Sequence, residues 1–142
     1  MFINTNPQIQ TIVEQLCFGA IHSENSTKHA IHLGFISIDD AIMMCVSSYI
    51  ATKNKDTESN DFDIWLELLE KDNKIIVYEK QEIKKYHNIR KNILNQSDIM
   101  MIQINKKYIV LLKILLAYLF NFRLSKSDWE KRIKEYKHKL NL

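Results

Sequence analysis

The sequence predicts an all-α, single-domain bundle of five to six helices. The 142 residues include only two Gly and one Pro, and so few chain-breaking residues leave little material for the tight turns of a β-protein. Apolar residues recur three and four positions apart over most of the chain, which is the spacing of a buried helix face. The length is that of one domain with one core. We therefore expect residues 1–142 to form a single helical domain.

The N-terminal third of the chain predicts two helices, whose boundary can be drawn in two ways. The first helix begins near Pro7 and carries an apolar face at helical spacing: Ile9, Ile12, Val13, Leu16 and Ala20. It either continues through SENST (residues 23–27), or breaks there and resumes as KHAIHLG, ending at Gly34. Ser37 followed by Asp40 resembles a capping box and predicts the start of the next helix, which reaches about residue 53.

The middle of the chain predicts a loop, a short helix and an ambiguous connection. The stretch NKDTESND (residues 54–61) has no apolar residue and is typical of a mobile loop. Asp61 then caps a third helix, FDIWLELLEK. The following DNKIIVY is either a loop that buries Ile76 or an isolated strand. A fourth helix is expected from about Glu79.

The C-terminal part predicts two further helices after the polar break NQSD (residues 95–98). A long fifth helix is expected around Lys106–Phe122. Its apolar core, YIVLLKILLAYLF, has 13 residues with a Lys in the middle, short of the roughly 20 that span a bilayer. Ser127 and Glu130 resemble a second capping box, so residues 125–142 are expected to hold a basic terminal helix. With no secretory signal visible at the start, we expect a cytoplasmic protein without a membrane segment.

Charge is distributed unevenly, and the cysteines are uninformative. Residues 1–80 carry 6 Lys/Arg against 12 Asp/Glu, whereas residues 81–142 carry 14 against 5. The basic half could meet a polyanion, the two halves could attract one another in a dimer, or the charges could form an ordinary solvated surface.

Cys17 and Cys45 have the apolar neighbours of free, buried thiols, and no Cys/His spacing predicts a zinc site.

One stretch, YHNIRKNILNQSD (residues 86–98), carries the functional hypothesis. Arg90 lies on the apolar stripe of the fourth helix, and position 95 follows about one turn later, where the polar NQSD ends the helix. An arginine facing a groove can bind a phosphate through two parallel hydrogen bonds. Arg90 can equally form a buried ion pair, and the candidate partners for that interpretation are Asp39, Asp40 and Glu67.

This stretch resembles the signature of HEPN domains, in which four to six residues separate an Arg from a following His. The positions that fit the pattern are Tyr86, Ile89, Arg90, Ile93, Leu94 and Gln96. The earlier segment GFISIDDAIMMCVSSYI is similar to another helix of the family. The resemblance implies an all-helical fold, a homodimer with a shared cleft, and metal-independent RNA cleavage, as in toxin–antitoxin and antiviral defence systems.

Two positions depart from that family pattern. Lys91 stands where the family usually has Asn, although Asn92 is adjacent. Asn95 occupies the place of the His, and an amide cannot exchange a proton near neutral pH. Loss of general acid–base catalysis typically lowers a rate by about 10²–10⁴. The chain as written is therefore expected to be weak or inactive. Three explanations of Asn95 stay open: the domain is naturally inactive, a His was replaced by Asn, or another histidine serves, with His87 the nearest.

The resemblance assigns the site as follows. Arg90 and Asn95 occupy the catalytic positions, and the residues expected to contact RNA are Lys91, Asn92, His87 and Gln96. No cofactor or metal is expected. The expected partners are RNA, a second copy of the chain, and a protein such as an antitoxin or a defence-complex subunit. The alternative function is a non-catalytic helical interaction subunit, whose lysines would be scattered rather than gathered around Arg90.

Overall fold

The computed structural model describes residues 6–25, 27–53 and 61–141. These residues form six α-helices and a short 3-10 helix, with no strand among them, which confirms the predicted all-α bundle. In chain order the α-helices are α1 (Pro7–Ser23), α2 (Lys28–Thr52), α3 (Phe62–Lys71), α4 (Val77–Ile89), α5 (Asp98–Phe120) and α6 (Lys126–Lys139). The 3-10 helix, Arg90–Asn95, lies between α4 and α5.

The chain breaks between α1 and α2, which settles the first open boundary. Asn6 caps α1 by accepting a hydrogen bond from the Gln8 amide at 2.9 Å, and Pro7 occupies the first helical turn, where no amide hydrogen is needed. The helix ends at Ser23. Thr27 then caps α2 through a 3.4 Å hydrogen bond from the amide of Ala30.

Helix α2 runs without interruption past Gly34, so both the predicted end at Gly34 and the predicted start at Ser37 are wrong. Gly34 does not terminate the helix but allows α1 to approach it closely. A Cβ at Gly34 would lie 2.8 Å from the carbonyl oxygen of Gly19, and one at Gly19 would lie 2.9 Å from that of Gly34. Glycine is therefore required on both sides of the α1–α2 crossing.

The capping of α3 agrees with the prediction, whereas the connection after it does not. The Asp61 side chain accepts a hydrogen bond from the amide of Asp63 at 2.9 Å. Residues 54–60, most of the predicted polar loop, lie outside the described residues. After α3 the chain turns through Asn73, whose φ is 58°. Ile75 is buried and Ile76 is 62% exposed, so the buried residue of this loop is the neighbour of the one predicted.

The last two helices begin earlier than the sequence patterns indicated. Ser97 caps α5, which starts at Asp98, about two turns before the predicted start near Lys106. Ser125, not Ser127, caps α6 by accepting a hydrogen bond from the amide of Asp128 at 3.1 Å. Between them Asn121 adopts a left-handed conformation with φ 52°, the usual way to end a helix without glycine.

The core surrounds α2, which packs against α1 on one side and α5 on another. Both cysteines are free and buried in it, and burial raises the pKa of Cys17 to about 11 and that of Cys45 to about 12. Of the described helices, α2 alone is long and apolar enough to cross a membrane, but 61% of its most apolar window is buried within the bundle. A core helix of a soluble protein has the same properties.

Candidate functional site

The site is built where α4 gives way to the 3-10 helix. The α-helical pattern ends at Ile89, and Arg90 opens the tighter 3-10 turn. Within that turn Asn92 departs from helical geometry, with φ −137° and ψ 38°. The chain then extends at Gln96 before Ser97 starts α5. The fourth helix was expected to end at NQSD, but the α-helix ends at Ile89, and the 3-10 turn fills the residues up to Asn95.

A buried carboxylate, Asp39 of α2, is the centre of the site. Its side chain is 0% exposed, yet it receives hydrogen bonds from side chains of three other elements. His87 of α4 places Nδ1 3.0 Å from both carboxylate oxygens. Arg90 donates from Nη1 to Oδ2 at 3.1 Å, and the hydroxyl of Tyr108 in α5 donates to Oδ1. We refer to Asp39, His87, Arg90 and Tyr108 as the Asp39 cluster.

Arg90 has a second partner outside that buried set. Its Nη1 also donates to Oδ1 of Asp40 at 2.6 Å, and the Asp40 side chain is 41% exposed. Arg90 is itself 36% exposed. One arginine thus bridges a buried carboxylate and a solvent-facing one, in agreement with the ion-pair interpretation of the sequence. The third candidate partner, Glu67, pairs instead with Lys80 and Lys84.

Two pKa shifts follow from this arrangement. Partial burial lowers the pKa of Arg90, but hydrogen bonds to Asp40 and Asp39 outweigh it and raise the pKa overall, so the guanidinium stays charged. Burial, and then the negative charge of Asp39, raises the pKa of Tyr108 well above the ordinary value of a tyrosine. Tyr108 is therefore a permanent hydrogen-bond donor to the carboxylate.

His87 is held in one orientation. Because an ionised carboxylate can only accept hydrogen bonds, Nδ1 of His87 carries the hydrogen that faces Asp39. The imidazole also packs on the ring of Phe62, with 4.7 Å between ring centroids. The His87 side chain is 25% exposed, with Nδ1 turned towards the buried carboxylate. Such an imidazole can accept a proton at Nε2.

The other predicted site residues lie on the outside of the 3-10 helix. Lys91, Asn92 and Asn95 are exposed, and Gln96 is half-buried. In the described part of the chain, no hydrogen bond or ion pair joins Asn95 to Arg90. The arginine points to α2, and Asn95 is exposed. Among the described residues, Arg90 therefore shares a hydrogen-bond partner with His87 and has no hydrogen bond to Asn95.

Sequence reasoning did not find the role of Tyr108. Tyr108 begins the apolar run of the predicted fifth helix, and it is fully buried against Phe35 and Tyr86. Its hydroxyl, however, is the third donor to Asp39. The signal available was a tyrosine on the apolar face of a core helix, because a buried tyrosine hydroxyl usually finds a hydrogen-bond partner.

An open groove lies beside the exposed carboxylate of the cluster. It has a volume of about 390 Å³ and is lined by Gln15, Asp40, Met43, Met44, Ser47 and Trp65. The groove combines an aromatic ring, two flexible thioethers and a few polar groups, a lining suited to a flat, partly polar ligand.

Basic side chains are not gathered around Arg90. Within the described ranges, Lys80 and Lys84 pair with acidic residues of α3, and Lys85 pairs with Glu82 at 3.0 Å. Lys113 lies over the ring of Trp129, with its nitrogen 4.0 Å from the centroid. Lys91 is exposed on the 3-10 helix beside Arg90. Several positive charges of the basic half thus have partners within the molecule, and α6 carries a further set.

Comparison with known proteins does not identify a family. No protein-family model matches the chain, no curated protein matches it, and no solved structure matches it. In the described ranges, no three His, Cys, Asp or Glu side chains are grouped in a way that could hold a metal ion. The resemblance to HEPN domains therefore remains a prediction from the sequence.

Proposed function

We propose that the chain is a HEPN-like, cytoplasmic RNA-binding domain with a metal-independent endoribonuclease site at the Asp39 cluster. The observation that carries this proposal is the convergence of a proton acceptor and a permanent cation, His87 and Arg90, on one buried carboxylate at a helix break. RNA cleavage through the ribose 2′-hydroxyl requires these two kinds of group and no redox chemistry.

Binding of a phosphate at Arg90 requires Asp40 to move aside. The two carboxylates that hold the guanidinium differ in burial: Asp39 is fully buried, and Asp40 is 41% exposed. Exposed ion pairs contribute little stability, so a phosphate oxygen can replace Asp40 while Asp39 keeps the arginine in place. The neighbouring groove would then receive the nucleoside, with Trp65 as a surface on which a base can stack.

The first test measures RNA binding and cleavage separately in buffer containing EDTA. Arg90→Ala should weaken RNA binding and abolish any cleavage, whereas Arg123→Ala, an exposed arginine between α5 and α6, should change neither. Asp40→Asn should strengthen RNA binding, because it removes the competing charge. If Arg90→Ala and Arg123→Ala bind RNA equally well while both remain folded, the proposed RNA site is wrong.

A second candidate function is a non-catalytic interaction module, acting as a homodimer or with a protein partner such as an antitoxin or a defence-complex subunit. The observation that favours it is that several lysines are taken up in internal ion pairs. Large apolar side chains are also exposed around the helix break: Leu94 at 70%, Ile99 at 75% and Met100 at 48%. Exposed apolar groups this close in sequence are typical of an association surface.

Light scattering after gel filtration tests this second function. Ile99→Glu should convert a dimer to a monomer, while Val110→Glu, an equally apolar exposed site on the middle of α5, should leave the mass unchanged. A monomeric protein that also fails to bind RNA would exclude self-association and RNA binding together, and a heterologous partner would then be the remaining form of this function.

A further inference from the structure

We infer that the proton-transfer group of this site is His87, held by Asp39, and not the residue at position 95. This inference rests on the proposed RNA-cleaving function and assigns its acid–base residue. It follows from the partners of three side chains: the imidazole and Arg90 share the same carboxylate, and among the described residues no hydrogen bond joins Asn95 to either. His87 is the catalytic residue in this assignment, and Asp39 is a positioning residue.

The imidazole meets the geometric requirements of a general base. Its Nδ1 is fixed at 3.0 Å from both oxygens of a fully buried carboxylate, which selects the tautomer with an unprotonated Nε2. The ring face is supported by Phe62. Asp39 is anchored in turn by Tyr108, so the carboxylate cannot turn away from the imidazole. A carboxylate that orients a histidine, itself partly exposed, is the arrangement of many hydrolytic sites.

Arg90 is close enough to act on the same phosphodiester as His87. The nitrogens His87 Nδ1 and Arg90 Nη1 lie 3.0 and 3.1 Å from one atom, Oδ2 of Asp39. Both side chains therefore emerge on the same side of α2, and both are partly exposed. A phosphate that binds the outer face of the guanidinium places the adjoining ribose within reach of the Nε2 edge of the imidazole.

The reaction is an internal transesterification. His87 Nε2 takes the proton of the ribose 2′-hydroxyl as the 2′-oxygen forms a bond to phosphorus. The bond between phosphorus and the 5′-oxygen breaks, and that oxygen takes a proton from solvent while His87 returns its own proton to solvent. Arg90 stabilises the charge on the non-bridging oxygens. The products are a 2′,3′-cyclic phosphate and a 5′-hydroxyl, with no net gain or loss of electrons.

The test compares substitutions at His87 and Asn95 in single-turnover cleavage of a mixed RNA pool in EDTA. We expect His87→Gln to lower the rate by about 10²–10⁴, with the RNA dissociation constant unchanged. His29→Gln, at an exposed histidine in the first turn of α2, is the matched control and should cleave like the parent. Asn95→Ala and Asn95→His should both stay within about threefold of the parent rate.

Two further measurements separate a chemical role from a structural one. Free imidazole should restore cleavage to His87→Gly, and the product should carry the cyclic phosphate, while a 2′-deoxy substrate should stay intact. Asp39→Asn should lower kcat and also raise KM, because Asp39 positions both the base and the phosphate-binding Arg90 without touching RNA. Circular dichroism and thermal melting confirm that each variant is folded before its rate is compared.

The outcomes distinguish this inference from the proposed function. If Asn95→His raises the rate by orders of magnitude and His87→Gln does not lower it, RNA cleavage stands and the assignment to His87 is overturned. A parent chain that binds RNA but never cuts it, with or without His at position 95, overturns the assignment and leaves RNA binding intact. A chain that does not bind RNA at all overturns the proposed function itself.

Discussion

The α1–α2 interface and the Asp39 cluster share a helix and are held together by opposite means. At the α1–α2 crossing, Gly19 and Gly34 let two backbones approach so closely that a methyl group would not fit. In the cluster, one buried carboxylate gathers three polar side chains from α4, the 3-10 helix and α5. The first interface depends on shape and the second on charge and hydrogen bonds. Only the second leaves groups able to do chemistry.

The largest expected effect on stability is at the charged interface. Arg90→Ala leaves the fully buried carboxylate of Asp39 without its permanent cation, and removing one partner of a buried ion pair typically lowers stability by about 3 kcal/mol or more. Because Arg90 is partly exposed, we expect a loss of about 2–3 kcal/mol. Urea unfolding at pH 7 measures it, with Arg123→Ala as the control. A loss equal to the control would mean that the ion pair does not hold the helices together.

A smaller loss of stability is expected at the α1–α2 crossing, which depends on close packing alone. The Cβ of Gly34→Ala would lie 2.5 Å from Ser23 Oγ and 2.8 Å from the Gly19 carbonyl oxygen, so the two helices must separate. Overpacking of this kind lowers stability by about 1–3 kcal/mol, and the better helix propensity of Ala offsets up to about 1 kcal/mol of it. Ala51→Gly, on an exposed face of the same helix, measures that propensity alone. If urea unfolding shows that Gly34→Ala is as stable as the parent or more stable, the two helices can separate at the crossing without a loss of stability.

The smallest expected effect on stability comes from the buried histidine His32, whose surroundings differ from those of Asp39. His32 is 5% exposed, and its Nε2 has no hydrogen-bond partner among the described residues. Burial, and then the charge of Lys28, lowers the pKa of His32, partly opposed by Asp98. The unfolded chain therefore binds a proton more readily than the native one, so stability is lost as pH falls below the ordinary histidine value of about 6.5.

The melting temperature at pH 7.5 and pH 5.5 tests this dependence. The parent should lose more on acidification than His32→Gln, which has no group to protonate at this position. Equal losses in the two proteins would place the acid sensitivity elsewhere, for example in the charged cluster around Asp39.

Helices were predictable because their signals are local, and helix ends were less so because the chain offers competing caps. Asp61 was identified correctly as a cap because it directly precedes the apolar face of α3. Ser37 and Ser127 looked equally suitable, but Thr27 and Ser125 are the caps used. Tertiary packing determined where α2 ends. Gly34 lies within this helix because α1 crosses it there, and no local sequence pattern reveals such a crossing.

The candidate site was also predictable only where its signals are local in the sequence. The sequence identified Arg90 as unusual and named Asp39 and Asp40 among its partners, because a charge on an apolar stripe needs compensation. It could not choose between these two residues and Glu67. All three are equally acidic, and only the packing of the helices decides which of them lies next to Arg90. Tyr108 is 69 residues from Asp39 along the chain, so its part in the site depends on how α2 and α5 align in the bundle.

The sequence separations within the Asp39 cluster also bear on how the native state forms and how long it lasts. Asp39 meets His87, Arg90 and Tyr108 across 48, 51 and 69 residues, whereas α1 and α2 are neighbours joined by a short turn. Local contacts form first in folding, because closing a long loop is entropically unfavourable. We therefore expect Gly34→Ala to slow refolding and Arg90→Ala mainly to hasten unfolding. The helix crossing then sets how fast the protein assembles, and the carboxylate sets the lifetime of the folded molecule.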